Sequence, residues 1–200
     1  MSKVVLVISA SPRSGGNSDV LCDQFVLGAK ESGNETEKIF LRDKKIGYCV
    51  ACDQCQKNEG VCSQKDDMAH MLDKMIDADV IVMATPVYFY TMDAQMKTLI
   101  DRTVARYTEI DNKEFYFIAT AADSNGASLE RTFEGLRGFT DCCLEGAKEM
   151  GVICGTGLWQ KGDVKGTELM QQAYEMGRKV QTEEGSKKER RHLRSWASYT

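Results

Sequence analysis

Apolar positions along the chain fall into short unbroken runs separated by stretches with helical spacing. The first run is Val4-Val5-Leu6-Val7-Ile8, which reads as a strand buried on both faces. Between Asp19 and Lys30 the apolar residues Val20, Leu21, Phe25 and Val26 form a helical stripe. Glu35 to Leu41 alternates charged and apolar residues and predicts an edge strand, polar on one side. Asp66 to Ala78 predicts a helix: Asp66 and Asp67 suit its N-terminus, and Met68, Met71, Leu72, Met75 and Ile76 face the core. Asp79 to Thr85 is a third strand, which Pro86 should end because it cannot donate to a ladder. A helix follows over Met92 to Tyr107, with Met96, Leu99, Ile100 and Val104 inward. Glu114 to Thr120 is a fourth strand. Leu129 to Met150 predicts a long helix, with Gly135 and Gly138 as its points of weakness. Gly151 to Gly157 predicts a fifth strand and Gly166 to Glu184 a last helix.

This alternation argues for an α/β fold with three layers: a doubly wound, five-stranded parallel sheet of order 2-1-3-4-5, helices on both faces. Such a sheet binds its ligand at the carboxyl ends of strands one, three and four. Here those ends are the Ser9–Ser18, Pro86–Thr91 and Ala121–Gly126 loops. A single domain over residues 1–184 is expected, carrying a cysteine-rich loop at 42–65 and followed by a basic tail at 185–200.

Composition narrows the class. Hydrophobic residues make up 42% and charged residues 28%, as in ordinary soluble domains. No apolar run approaches the roughly 20 residues that span a bilayer, and no signal-peptide pattern precedes the first strand. A cytoplasmic protein without membrane contact is expected. The net charge of −4 argues against a nucleic-acid surface. Only the tail is basic, through Lys187, Lys188, Arg190, Arg191 and Arg194.

The first loop, Ser9-Ala10-Ser11-Pro12-Arg13-Ser14-Gly15-Gly16-Asn17-Ser18, joins a strand to a helix N-terminus. That geometry aims backbone N–H groups and a positive helix end at one spot. Ser9, Ser11, Ser14, Ser18, Asn17 and Arg13 add donors, so a phosphate monoester suits it. A simple polar helix cap is the competing reading. The loop matches neither the triphosphate-binding nor the dinucleotide-binding glycine pattern. The second loop offers Tyr88, Phe89 and Tyr90, suited to a flat ring; a core edge or a subunit contact would explain the same aromatics. His70 and His192 lie outside these loops and are poor proton donors for the site.

Ser9-Ala10-Ser11-Pro12-Arg13 with Asn17-Ser18, then Pro86-Val87-Tyr88-Phe89-Tyr90 with Lys97 and Leu99-Ile100-Asp101-Arg102, resemble the flavodoxin-like NAD(P)H-dependent FMN reductase family. Cys49-x2-Cys52-x2-Cys55-x6-Cys62 followed by Asp66-Asp67-Met68 looks like its iron–sulfur flavoprotein branch. The resemblance implies non-covalent FMN. Its phosphate would lie on Ser9, Ser11, Arg13, Asn17 and Ser18, and its ring against Pro86, Val87, Tyr88, Phe89 and Tyr90. Ala122 and Asp123 would form the other wall. The chemistry would then be the cofactor's, with no catalytic side chain required. The resemblance also implies NAD(P)H as co-substrate, and fold analogy implies a homodimer or homotetramer.

Eight cysteines are many for a reducing compartment, and four fall between residues 49 and 62. Cys49, Cys52, Cys55 and Cys62 admit three readings: a [4Fe–4S] cluster, a structural zinc, or a metal-free thiol loop. Cys142, Cys143 and Cys154 carry no ligand spacing and are expected in the core. Three functions follow. One is a reductase passing electrons from NAD(P)H to a small acceptor such as a quinone or flavin. Another is an iron–sulfur electron carrier with a ferredoxin-like donor. The third is a redox-sensing binding module built on FMN and thiols.

Overall fold

The computed structural model describes residues 2–180. The basic tail at 185–200, His192 and the expected extension of the last helix to Glu184 lie outside them.

The strands are β1 (Val4–Ser9), β2 (Glu35–Phe40), β3 (Val80–Tyr88), β4 (Thr91–Met92), β5 (Glu114–Thr120) and β6 (Lys148–Gly155). The helices are α1 (Asn17–Glu31), α2 (Gln54–Lys57), α3 (Met68–Asp77), α4 (Ala94–Arg102), α5 (Glu130–Cys143) and α6 (Glu168–Arg178). The sheet order is β2-β1-β3-β5-β6, all parallel, with β4 an antiparallel appendage of β3. Leaving out the two-residue β4, this is the doubly wound order read from the sequence.

Alternation along the strands sorts the core onto two faces. Leu6, Ile8, Ile81, Met83, Phe115 and Phe117 pack with Met71, Met75, Met96, Leu99 and Leu136 of α3, α4 and α5. Val5, Val7, Val80, Val82 and Ile118 pack with Leu21 and Phe25 of α1 and Ala173 of α6. The α3 methionines are thus core. Helices α1 and α6 cross with their backbones touching: a Cβ on Gly28 would overlap the Tyr174 carbonyl, and one on Gly177 the Phe25 carbonyl.

Several boundaries differ from the sequence reading. β3 does not stop at Pro86 but runs to Tyr88, with Pro86 opposite Thr120. Proline is tolerated there because β1 has already ended: its last paired residue, Ser9, lies opposite Ala84. Met92 belongs to β4, so the next helix starts at Ala94, capped by the Asp93 side chain accepting from the Met96 N–H. It ends at Arg102, and Val104 is left 40% exposed rather than inward. The long helix ends at Cys143; Gly146, at φ +65°, turns the chain back into the sheet at Lys148. Gly135 and Gly138 do not interrupt it. Cys142, Cys143 and Cys154 are exposed, not core. The first two sit where α5 runs out. Cys154 follows buried Ile153 on the edge strand and faces the opposite side.

Candidate functional site

The first loop is braced from beneath. Ser9 is buried, and its hydroxyl donates to Asp19 Oδ1 at 3.0 Å. Asp19 Oδ2 accepts from the Gly15 N–H at 2.8 Å, and Lys38 Nζ lies 2.7 Å from Asp19 Oδ1. Burial pushes the Asp19 carboxyl up, but Lys38 and the Gly15 N–H outweigh it and hold the group below the ordinary carboxylate range. Above this brace, Ser11 Oγ donates to the Arg13 carbonyl at 3.1 Å. Gly16 closes the turn onto the same carbonyl at 2.9 Å. Glycine suits that position, since a Cβ would stand 2.5 Å from Ser11 Oγ and 3.1 Å from the Arg13 carbonyl and would push the turn open.

The polar-cap explanation of this loop fails. The N-cap of α1 is Gly16, and no side chain caps the helix. Ser18 Oγ is buried without a hydrogen-bond partner. An uncapped N-terminus beside an unpartnered buried hydroxyl leaves donors for an anion.

Asn17 has a different role from the one its type suggested. Its Nδ2 donates to the carbonyls of Leu158 at 3.2 Å and Gln160 at 2.9 Å. Its Oδ1 accepts from the N–H groups of Gly162 at 3.0 Å and Val164 at 3.3 Å. The side-chain amide is fully used. It clamps the loop after β6 against the start of α1, which brings Trp159 and Lys161 to the first loop. Lys161 Cε is 3.3 Å from the point a Gly15 Cβ would occupy.

The second loop is a hairpin. Tyr88 pairs with Thr91, leaving Phe89 (φ +50°) and Tyr90 (φ +65°) as a two-residue turn. Such turns favour Asn-Gly, and bulky residues at positive φ are strained. Phe89 is completely exposed. Behind the hairpin, Thr85 Oγ1 accepts from the Asp93 N–H at 3.0 Å. Burial pushes the Asp93 carboxyl up to about 6.

These loops enclose a cleft of about 420 Å³. Of the residues named from the sequence, Ser11, Arg13, Asn17, Ser18, Pro86, Val87, Tyr88, Phe89 and Ala122 line it. Ser9, Tyr90 and Asp123 do not. Ser9 acts through Asp19, Tyr90 completes the turn, and Asp123 Oδ1 accepts from the Asn125 N–H at 2.9 Å to shape its own loop. Gly16 lines it from within the first loop, and Thr120, Leu158, Trp159 and Lys161, which were not anticipated, complete the lining. Trp159 and Lys161 had one signal, an aromatic and a cation in an otherwise polar loop after the last strand. The lining carries two cations, Arg13 and Lys161, and no carboxylate.

The cysteine loop lies apart from this lining. Its backbone is left-handed at Ala51, Asp53 and Glu59. Cys49 and Cys52 are exposed, Cys55 and Cys62 half-buried, and all four are free thiols. Ser63 Oγ lies 3.4 Å from Cys52 Sγ and holds that thiol below its ordinary pKa. Among the described residues no three His, Cys, Asp or Glu side chains converge as a metal site. The donor set, four thiols on one loop outside the core, matches a cubane in kind and number. The loop as it stands does not gather them.

Residues 4–134 match the family model described as NADPH-dependent FMN reductase. The chain belongs to this family. An iron-sulfur flavoprotein of Methanocaldococcus jannaschii is 38% identical over 137 residues, 68% of this chain and 70% of that protein. An iron-sulfur flavoprotein of Archaeoglobus fulgidus is 40% identical over 95 residues, 48% of this chain and 43% of that one, so the match spans less than half its length. The solved NAD(P)H:quinone oxidoreductase of Methanothermobacter marburgensis superposes with a TM-score of 0.64, covering 92% of this chain and 100% of its own, at 15% identity. That likeness is one of fold. No described helix of this FMN reductase family member is long and apolar enough to cross a membrane.

The cleft fits the flavin nucleotide in that family's description. The unpartnered Ser18 hydroxyl, the uncapped α1 and the space kept open by Gly16 suit a phosphate. Tyr88, Phe89 and Trp159 offer aromatic walls for a flat ring.

Proposed function

We propose that this chain is an FMN-dependent oxidoreductase taking electrons from NAD(P)H to a small acceptor such as a quinone or flavin. The observation that carries the reading is the cleft itself: an anion-ready helix N-terminus and an aromatic hairpin lining one cavity, without a carboxylate between them. Bound FMN would accept a hydride and return one or two electrons.

The chain's residues bind, orient and exclude water. The α1 N-terminus and the Ser18 hydroxyl take the phosphate oxygens, Ser11 would join them by turning its hydroxyl from the Arg13 carbonyl, Arg13 and Lys161 offset the charge, and Ser9 keeps the loop in shape through Asp19. Asn17 contributes its backbone N–H, its side chain being committed to the clamp. Pro86, Val87, Tyr88 and Phe89 support one side of the ring, with Tyr90 setting the turn. Ala122 flanks the other side, with Asp123 ordering that loop. The lining holds no carboxylate and no imidazole. A riboflavin control tests the phosphate assignment: FMN should bind tightly and riboflavin poorly.

A second reading keeps FMN and adds a [4Fe–4S] cluster on Cys49, Cys52, Cys55 and Cys62, making the chain an electron carrier with a ferredoxin-like donor. Two observations favour it. The four thiols avoid the core, so packing does not explain them. Curated relatives from several archaea bear the name iron-sulfur flavoprotein. Iron and acid-labile sulfide, measured after anaerobic purification, test it; thiols without either would refute it.

The exposed Phe89, with Tyr90 and Tyr48 also exposed, supports a homodimer or homotetramer in which a second copy covers the hairpin. Light scattering showing a monomer would contradict that.

A further inference from the structure

One buried cation is not used by the flavin cleft. Arg102 ends α4 and is 2% exposed. Its Nη1 donates to the Gly47 carbonyl at 2.6 Å, to Asp66 Oδ2 at 2.7 Å and to Gln64 Oε1 at 3.3 Å. Its Nη2 donates to Asp66 Oδ1 at 3.0 Å and reaches Cys62 Sγ at 3.6 Å. Asp66 in turn accepts from the N–H groups of Gly47 at 3.0 Å and Met68 at 3.1 Å. Gly47 stands just before the first cysteine of the loop, and Cys62 to Asp66 form its end. A single guanidinium therefore fastens both ends of the cysteine loop to the end of α4.

The fastening is specific to the fork of arginine. A planar guanidinium presents parallel N–H groups that grip a carboxylate with two bonds while others reach elsewhere; an ammonium cannot do this. Of the four cysteines in the loop, Cys62 is the one with a cationic partner among the described residues. Stability alone is a weak reason to bury such a pair, because well-packed apolar residues often serve as well. What apolar residues cannot do is hold a sulfur atom by an N–H bond.

We propose that Arg102 is the positioning residue of the thiol loop: it closes the loop at Gly47 and Asp66 and holds the Cys62 sulfur as the fixed ligand onto which Cys49, Cys52 and Cys55 fold when an iron–sulfur cluster is acquired. The cluster part rests on the second reading above. Cys62 is held by Arg102, whereas Cys49 and Cys52 are exposed and Cys55 is half-buried without such a hold, so acquisition becomes the closing of three thiols onto one prepared position. With a cluster bound, the N–H bond to the Cys62 sulfur would favour the more negative, reduced state and so would raise the reduction potential.

The test compares the full chain with Arg102→Gln and Arg102→Lys. FMN content reports whether each variant folds. Hydrogen exchange over residues 47–66 is read before metal is added. Iron, acid-labile sulfide and midpoint potential are read after anaerobic reconstitution with ferrous iron and sulfide. The expected result for Arg102→Gln is normal FMN content, loop amides exchanging about tenfold faster, iron affinity lowered about tenfold or more, and a lower midpoint potential. Arg102→Lys should fall between, and it decides the matter if Arg102→Gln does not fold. Wild-type loop protection, iron binding and potential in a folded variant would overturn the proposal and leave the cluster reading intact. A wild-type chain that takes up no iron refutes the cluster reading and with it Cys62 as a prepared ligand; exchange then decides the loop-closing role alone.

Discussion

Asn17 and Gln160 stand 143 positions apart in the chain, and the Asn17 amide donates to the Gln160 carbonyl at 2.9 Å. With its three companion bonds, this contact makes the loop after β6 a wall of the cleft. Asn17→Ala strands two carbonyls and two N–H groups at once. The expected loss is about 1–3 kcal/mol of stability. Binding of FMN should weaken about tenfold or more as Trp159 and Lys161 drift. Chemical denaturation and a flavin titration check the two parts. Unchanged flavin affinity would show that the 158–164 segment is not part of the binding wall.

Gly16→Ala tests the phosphate loop from inside. The added methyl meets Ser11 Oγ at 2.5 Å and the Arg13 carbonyl at 3.1 Å, so the turn must open. The overpacking should cost about 1–3 kcal/mol. Affinity for FMN should fall more than affinity for riboflavin, because the change sits at the phosphate end. Isothermal titration with both ligands separates the two effects.

The hairpin trades stability for shape. Phe89 and Tyr90 both hold positive φ, a conformation that Asn-Gly adopts without strain. The double change Phe89→Asn with Tyr90→Gly should stabilise the fold by about 1–3 kcal/mol. It should also weaken FMN binding, since Phe89 lines the cleft. A higher melting temperature with intact flavin affinity would mean that the aromatics serve something other than the ring.

Asp93 gives a pH signature. Burial lifts its carboxyl from 3.8 to about 6, so the native state holds the proton more tightly than the unfolded chain. Its contribution to stability is fully present below 3.8 and is lost as pH rises through about 6. Asp93→Asn keeps an oxygen to cap the Met96 N–H but cannot titrate. Urea denaturation across that range should show wild type losing stability relative to the variant as pH rises. Parallel profiles would contradict the assignment.

Much of the fold was legible because it rests on local patterns. Short unbroken apolar runs rich in β-branched residues, at Val4–Ile8 and Val80–Ala84, read as buried strands between helices, and their alternation leaves few topologies. The anion-ready loop was legible for the same reason: it joins a strand end to a helix start. What was missed depends on distant contacts. β4 forms around an aromatic turn that lacks the usual Asn-Gly signal. The α5 boundary depends on Gly146 turning under Asn112, whose side chain lies 2.4 Å or more from where a Cβ would be. Trp159 and Lys161 join the cleft only because Asn17 reaches across to them. Arg102 stood in a motif that the resemblance had quoted, yet its hold on Gly47, Cys62 and Asp66 is visible only once α4 and the cysteine loop are packed together.

The cleft should hold a flavin by its phosphate. Fluorescence-quenching titration of the flavin-free chain with FMN and with riboflavin tests it most directly. Saturation is expected near one FMN per chain, with riboflavin bound about a hundredfold more weakly, the loss expected for two charge-assisted hydrogen bonds. Equal affinity for the two flavins, or no binding of either, would contradict it.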